Sequence, residues 1–314
     1  MKATKKDYPN LASTHITPFH IREMMVALEL GPADQSVLDY LDFLSALVPI
    51  RSVYFAHILP PLRLFNPTAE AENMIFSHYE LNLEAISQMR TELEARPINQ
   101  KVEHLGFEVH KGNPLEELIK SAREVFTDLM VIGQRSGAGE HGVLARNLAR
   151  RVENNALIIP EKAWPKLKCI MVPFDFSEYS IRSLKIALAI QAAVGEELKV
   201  VPVHVYEMPN LSIYKVQKTF DQLKSMVESD RKDAFRDLLN IYLPDYTDKL
   251  ELKLIEQNGP GVARFLLKAA EEVEADLVVI GAKGHSRVER LLLGSVTEKL
   301  CSINEKIPTM IVKR

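Results

Sequence analysis

Gly281, Ala282, Lys283 and Gly284, with Gly294 and Ser295 further on, form the pattern Gly-x2-Gly-x9-Gly-Ser directly after the apolar run Asp276-Leu277-Val278-Val279-Ile280. This combination suits a polyanion. A buried strand that ends in spaced glycines lets the backbone turn sharply and approach a ligand, and the following helix start favours negative charge. Gly294 and Ser295 are expected to present bare amides and a hydroxyl there, so the second half of the chain is read as binding a nucleotide. Hydrogen bonds to charged groups contribute about 1.5–3 kcal/mol each, and a micromolar affinity needs roughly 8 kcal/mol. Three or four amides plus burial of a base reach that figure.

Each of these residues also has a purely structural reading. Gly281 and Gly284 can serve a strand-to-helix turn alone. Ser295-Val296-Thr297-Glu298 is a capping box in which Ser295 caps its own helix and Glu298 reaches back. Asp175 can be a helix-start residue. His57 and His204 stand in apolar strands, where a histidine satisfied within the core is expected before a metal ligand, and His110, His141 and His285 show no ligand spacing. Lys283, His285, Arg287 and Arg290 add positive charge around the glycines.

Other chemistries are absent. The chain holds no Gly-x4-Gly-Lys-Ser/Thr, Gly-x-Ser-x-Gly, His-Glu-x-x-His or Cys-x-x-Cys stretch. Without a nucleophile, general base or metal cage, a fast enzyme has no support; slow ATP hydrolysis stays open.

The elements that must position these groups occur twice. Thr127-Asp128-Leu129-Met130-Val131-Ile132-Gly133 matches Ala275 to Gly281 at an offset of 148 residues, His57-Ile58 matches His204-Val205 at 147, and Glu29 matches Asp175 at 146. A period this long indicates two domains rather than a solenoid. The second copy reads as strands Lys168 to Phe174, Leu198 to Tyr206, Leu250 to Glu256, Asp276 to Ile280 and Pro308 to Val312. Its helices are Glu178 to Val194, a polar stretch within Leu211 to Ile241, one after Gly259-Pro260-Gly261, and one from Ser295. The first copy has strands near Glu23 to Leu28, Ser52 to Ile58, Gly106 to His110, Asp128 to Ile132 and Ala156 to Ile159, with a covering helix within Met74 to Leu93. Apolar strands alternating with helices predict an α/β fold of parallel five-stranded sheets with helices on both faces.

In the first copy Gly133 survives, but at fixed offset Ser136, Arg146 and Asn147 replace the later glycines and serine, and Glu29 replaces Asp175. A side chain at 146 is expected to block close approach to the backbone, so this copy is predicted to lack the nucleotide mode, although Gly137, Gly139 and Gly142 leave its loop adaptable.

Bulk properties agree with two domains of ordinary composition. The 314 residues are 46% hydrophobic and 26% charged, which excludes a disordered or fibrous chain. Thirty-nine basic against 42 acidic residues give −3, no footprint for nucleic acid. Cys169 and Cys301 cannot build a disulfide framework, and no stretch reads as a signal peptide or membrane span. The expected location is the cytoplasm.

Val172-Pro173-Phe174-Asp175-Phe176-Ser177, Val203-His204-Val205 and the glycine pattern together resemble the universal stress protein family, specifically its tandem-domain members, over nearly the whole chain after about residue 20. The resemblance implies a flavodoxin-like (Rossmann-like) sheet in the order 3-2-1-4-5. It implies ATP or AMP (or ADP) binding, with Mg2+ on the phosphates, where the glycines are kept. Asp175 then contacts the adenosine portion, the Val205 backbone reads the adenine edge, and Gly281, Gly284, Gly294 and Ser295 line the ribose and phosphates. Ligands in such sheets sit where the strand order reverses, between first and fourth strands.

The expected organisation is an N-terminal tail (1–20), a degenerate domain (21–160), a linker (161–166) too short to let the halves wander, and a nucleotide-binding domain (167–314). The two domains are expected to pair within the chain near their fifth strands, and a homodimer is possible. The expected function is a nucleotide-responsive regulatory module in the stress response. The alternatives are a stress adaptor that binds no nucleotide and acts through protein or small apolar ligand contacts, and a slow ATPase.

Overall fold

Nearly continuous apolar runs form the strands, as buried parallel strands require; the structure, a computed structural model, describes residues 11, 13–59, 78–135, 140–208, 217–284 and 293–313. Two compact units emerge. The first comprises His20–Lys166 with Glu305–Pro308, the second Leu167–Asn304 with the segment before residue 20 and the segment from Thr309.

The first unit runs β1 (Ile21–Leu28), α1 (Asp34–Leu47), β2 (Ile50–Leu59), α2 (His78–Glu94), the single turn α3 (Ile98–Lys101), β3 (His104–Lys111), α4 (Pro114–Glu124), β4 (Leu129–Gln134), α5 (Glu140–Arg151) and β5 (Asn155–Pro160). All its strand pairs are parallel, in the order β3-β2-β1-β4-β5. The second unit runs β6 (Cys169–Pro173), α6 (Glu178–Val194), β7 (Lys199–Tyr206), α7 (Gln217–Tyr242), β8 (Lys253–Glu256), α8 (Val262–Glu272), β9 (Leu277–Gly281), α9 (Ser295–Ile303) and β10 (Thr309–Val312). Its order is β8-β7-β6-β9-β10, again all parallel. Helices cover both faces of the α/β sheet, and in each unit the order reverses between first and fourth strands, where a cleft must open at the strand ends.

The central strands carry the cores. Met24, Met25 and Val26 of β1 have no exposed surface, and every residue of β6 and β9 is buried. Burying one such side chain contributes about 1.5–3 kcal/mol. Outer strands need covers. Helix α2 buries Ala85, Met89 and Leu93 and sets the Arg90 guanidinium 5.7 Å from the Phe107 ring of β3. Helix α7 buries Phe235, Leu238 and Tyr242, with Phe235 edge-on to Phe174 at 5.0 Å. It also sends Glu228 to the Tyr206 hydroxyl at 2.5 Å and Lys224 to Glu256 at 2.6 Å.

Two non-glycine positions of each unit adopt left-handed backbone: Leu30 (φ 58°) and Phe176 (φ 65°) after the first strand, Phe126 (φ 52°) and Glu274 (φ 53°) before the fourth. The pairs differ by 146 and 148 residues, the offsets of the strands they flank. Bulky residues adopt this conformation only where the surroundings impose it, so the same turns are built twice from unrelated side chains.

Some boundaries differ from expectation. β8 starts at Lys253 rather than Leu250 because the Leu250 amide is drawn into a turn on the Tyr246 carbonyl at 3.1 Å. The chain before residue 20 packs on α6: the Lys185 ammonium donates to the Leu11 and Ser13 carbonyls at 3.0 and 2.6 Å, and the Phe19 amide to the Ala189 carbonyl at 2.9 Å. Burial, with Arg182 nearby, lowers the pKa of Lys185.

Candidate functional site

The second unit's cleft is assembled from two strand ends. After β6 the Phe174 amide still bonds the Val203 carbonyl at 2.8 Å, and the chain then turns through Phe176 into α6. Asp175 holds that turn, its Oδ1 accepting from the Ser177 amide at 3.1 Å and the Ser177 hydroxyl at 2.5 Å. Ser177, not Asp175, is the N-cap, accepting from the Ser180 amide. After β9 the Ala282 amide bonds the Val312 carbonyl at 2.8 Å, and the Gly294 amide returns to the Ala282 carbonyl at 2.6 Å. The buried Thr297 hydroxyl fastens α9 to the strand end, donating to the Gly281 carbonyl at 2.8 Å.

Asp175, Val205, Gly281, Gly284, Gly294 and Ser295 all line one cavity of about 310 Å³ at this place. Val203, Val262 and Leu266 give it apolar walls; Lys283, His204, Ser180 and Thr297 give it polar ones. Volume and mixed lining suit a small organic ligand.

Three expectations about these residues need correction. Ser295 is not the N-cap of its helix: Gly294 holds that position without a side-chain cap, and the Glu298 amide bonds the Gly294 carbonyl at 2.9 Å. The Gly294 amide is not bare, being spent on Ala282; open first-turn donors begin at Ser295, Val296 and Thr297, which have no carbonyl one turn back inside the helix. The glycines do not supply the sharp turn either. None of Gly281, Gly284 and Gly294 has positive φ; the left-handed turn in the cleft belongs to Phe176. What these glycines avoid is collision. A Cβ on Gly281 would lie 2.6 Å from the Tyr179 Cβ, one on Gly284 would strike the Asp175 carboxylate, and one on Gly294 would meet the Ala282 carbonyl at 3.3 Å.

The first unit holds a cavity of about 500 Å³ at the corresponding place, so obstruction by Arg146 is overturned. The fixed offset fails after β4. In α5 and the residue after it the buried positions include Ala145, Leu148, Ala149 and Val152, and in α9 with its cap Thr297, Leu300, Cys301 and Asn304; 297 minus 145, like 304 minus 152, is 152. The loop is thus four residues shorter than the second unit's, Gly142 answers to Gly294, and Arg146 lies well inside α5 and does not line the cavity. Ser136, Gly137, Gly139, His285, Arg287 and Arg290, and the His141 side chain, lie outside the described residues.

The polar lining of the two cavities differs. In the first, buried Asp34 at the start of α1 accepts from the amides of Glu29 (3.0 Å), Leu30 (2.7 Å) and Gly31 (3.2 Å) through Oδ2. The turn's donors are therefore satisfied by the chain's own carboxylate, while Glu29 pairs with Arg135. In the second unit the residue at the place of Asp34, by the 146 offset, is Ser180.

Thr297, Phe176 and Asp34 were missed by sequence reasoning. The histidines fulfil theirs: His57 Nδ1 lies 2.9 Å from the Leu28 carbonyl and His204 Nδ1 2.8 Å from the Phe174 carbonyl. Among the described residues no group of three or more His, Cys, Asp or Glu could hold a metal ion, and no helix is long and apolar enough to cross a membrane.

Fold and cleft together define a flavodoxin-like α/β protein with a cavity at its switch point. A profile of the universal stress protein family matches residues 166–313. The universal stress protein MJ0531 of Methanocaldococcus jannaschii is 26% identical over 148 residues, covering 47% of this chain and 82% of the relative. The universal stress protein MJ0577 of the same organism is 29% identical over 161 residues, covering 47% and 95%. Across both units, the crystal structure of a universal stress protein from Archaeoglobus fulgidus superposes with a TM-score of 0.62 at 16% identity, covering 93% of this chain and 96% of that one. The second unit carries the domain that this family's profile matches, and the first unit repeats its strand order.

Proposed function

We propose that the second unit binds an adenine nucleotide, ATP or its mono- or diphosphate, and that the chain works in the cytoplasm as a nucleotide-responsive module of the stress response. One observation carries the reading: the six residues chosen from sequence line a single cavity at the strand-order reversal. In it the Val205 main chain reads the adenine edge, Asp175 meets the adenosine portion, and Gly281, Gly284, Gly294 and Ser295 line the ribose and phosphates. The donors are the amides opening α9, the Ser295 hydroxyl and Lys283. Mg2+ rides on the phosphates rather than in a protein cage, as suits a cation that keeps much of its water.

The first unit serves as partner domain without this ligand, because Asp34 already satisfies the turn amides an anion would need. Domain boundaries at 20–21, 160–161 and 166–167, and pairing of the two domains within the chain, belong to the same proposal.

Calorimetric titration of the full chain with ATP and Mg2+ tests it. One equivalent per chain is expected. Two equivalents overturn the asymmetry, and none overturns the nucleotide reading in favour of an adaptor acting through protein contacts. Gly294→Ala probes the cleft more cleanly than Gly284→Val, since a side chain at 284 strikes Asp175 before it meets any ligand.

A further inference from the structure

The first unit's cavity stands apart from the nucleotide proposal and has its own chemistry. It measures about 500 Å³ against about 310 Å³ for its counterpart, within the range of small-molecule sites. Its walls are mostly apolar, with Leu28, Ile58, Leu118, Ile132 and Leu144 among them. Among its described lining residues Glu29, Asp34 and Glu161 carry carboxylates and Arg135 a guanidinium, a formal charge of −2 from three negative groups and one positive. The main-chain amides that would greet an anion are taken by Asp34, and Glu29 is paired with Arg135. An apolar-walled space with excess negative charge disfavours an anion, because the ligand's charge would be desolvated beside like charges. It favours a cation.

We infer that this cavity is a binding site for an apolar organic amine. The ammonium sits by Glu29, and the apolar body fills the space between Leu118, Ile58 and Leu144.

Three probes sharing one aryl ether test the assignment by calorimetry on the full chain: 2-(1-naphthyloxy)ethylamine, 2-(1-naphthyloxy)ethanol and (1-naphthyloxy)acetate. The amine is expected to bind with one equivalent, the alcohol about tenfold more weakly and the acid more weakly still, as loss and then reversal of a charge-assisted contact require. Glu29→Gln should weaken the amine by about tenfold and leave the alcohol unchanged. Ala33→Trp and Leu144→Trp, at half-buried lining positions, should each abolish amine binding while thermal unfolding stays cooperative. Absence of amine binding at millimolar concentration overturns the assignment. So does an alcohol or acid that binds as tightly as the amine, or unchanged affinity in both folded tryptophan variants.

Discussion

The two units share a strand order, two left-handed turns and a histidine tie, yet they treat the turn after the first strand in opposite ways. In the first unit a buried carboxylate, Asp34, gathers three successive main-chain amides. In the second, Asp175 accepts from the amide and the hydroxyl of Ser177, and the Ser180 hydroxyl donates to the Ser177 carbonyl at 2.9 Å. One scaffold thus closes its donors with an internal anion, while the other leaves hydroxyls around a pocket. The difference teaches that the donors and acceptors left at a pocket in a repeated fold are set by a few residues at strand ends rather than by the sheet.

The largest expected effect breaks this contrast at Asp34. Asp34→Ala should lower the stability of the first unit by about 3 kcal/mol in denaturant melts, since three half-buried amides lose their carboxylate acceptor. Ser180→Ala should cost about 1 kcal/mol. Equal losses would show that the turns are held alike. Next comes Thr297→Val, which keeps shape but strands the Gly281 carbonyl; about 1–2 kcal/mol of second-unit stability should go, with weakened ATP binding as α9 loosens from β9. Gly294→Ala should cost less than about 1 kcal/mol in melts, its φ of −73° being open to any residue, yet reduce ATP affinity about tenfold by narrowing the approach to the α9 amides. Unchanged affinity would move the phosphate elsewhere.

The smallest expected effect concerns pH. Burial first, then the hydrogen bond from its hydroxyl to Glu228 and the charges of Glu228 and Glu256, raise the pKa of Tyr206. The folded chain therefore keeps this proton where the unfolded chain loses it. The stabilisation is fully present below about pH 10, the unfolded value, and is lost as pH rises through the folded value. Chemical melts from pH 9 upward should show the second unit losing stability and Tyr206→Phe flattening that slope. The first unit has Leu59 at the matching position and should not share it.

Much of the scaffold was legible because buried parallel strands write themselves as continuous apolar runs; β6 and β9 are buried at every residue. Gly281, Gly284, Gly294 and Ser295 were legible because glycine spacing after such a strand marks its end, while Asp175 and Val205 were reached through the family resemblance. Loops were not, since they carry no periodicity to fix a register. The comparison of Arg146 with Gly294 followed one offset across a loop four residues shorter, and only the burial of Ala145, Leu148 and Ala149 in α5 reveals the shift. Asp34 was hidden because it stands after the N-cap, Ala33, and bonds backward to a turn. Thr297 was hidden because the run from Ser295 to Glu298 fits a capping box so well that its hydroxyl had an apparent explanation without contact to β9.

The paired histidines have a mechanical consequence. A carbonyl oxygen can only accept, so Nδ1 of His57 and of His204 must bear the proton, which fixes one tautomer in each ring. Each imidazole is then a rigid spacer of set length between neighbouring strands beside the pocket mouth. Shortening it to asparagine would let those strand tips splay, and the gauge of both pockets would drift with them.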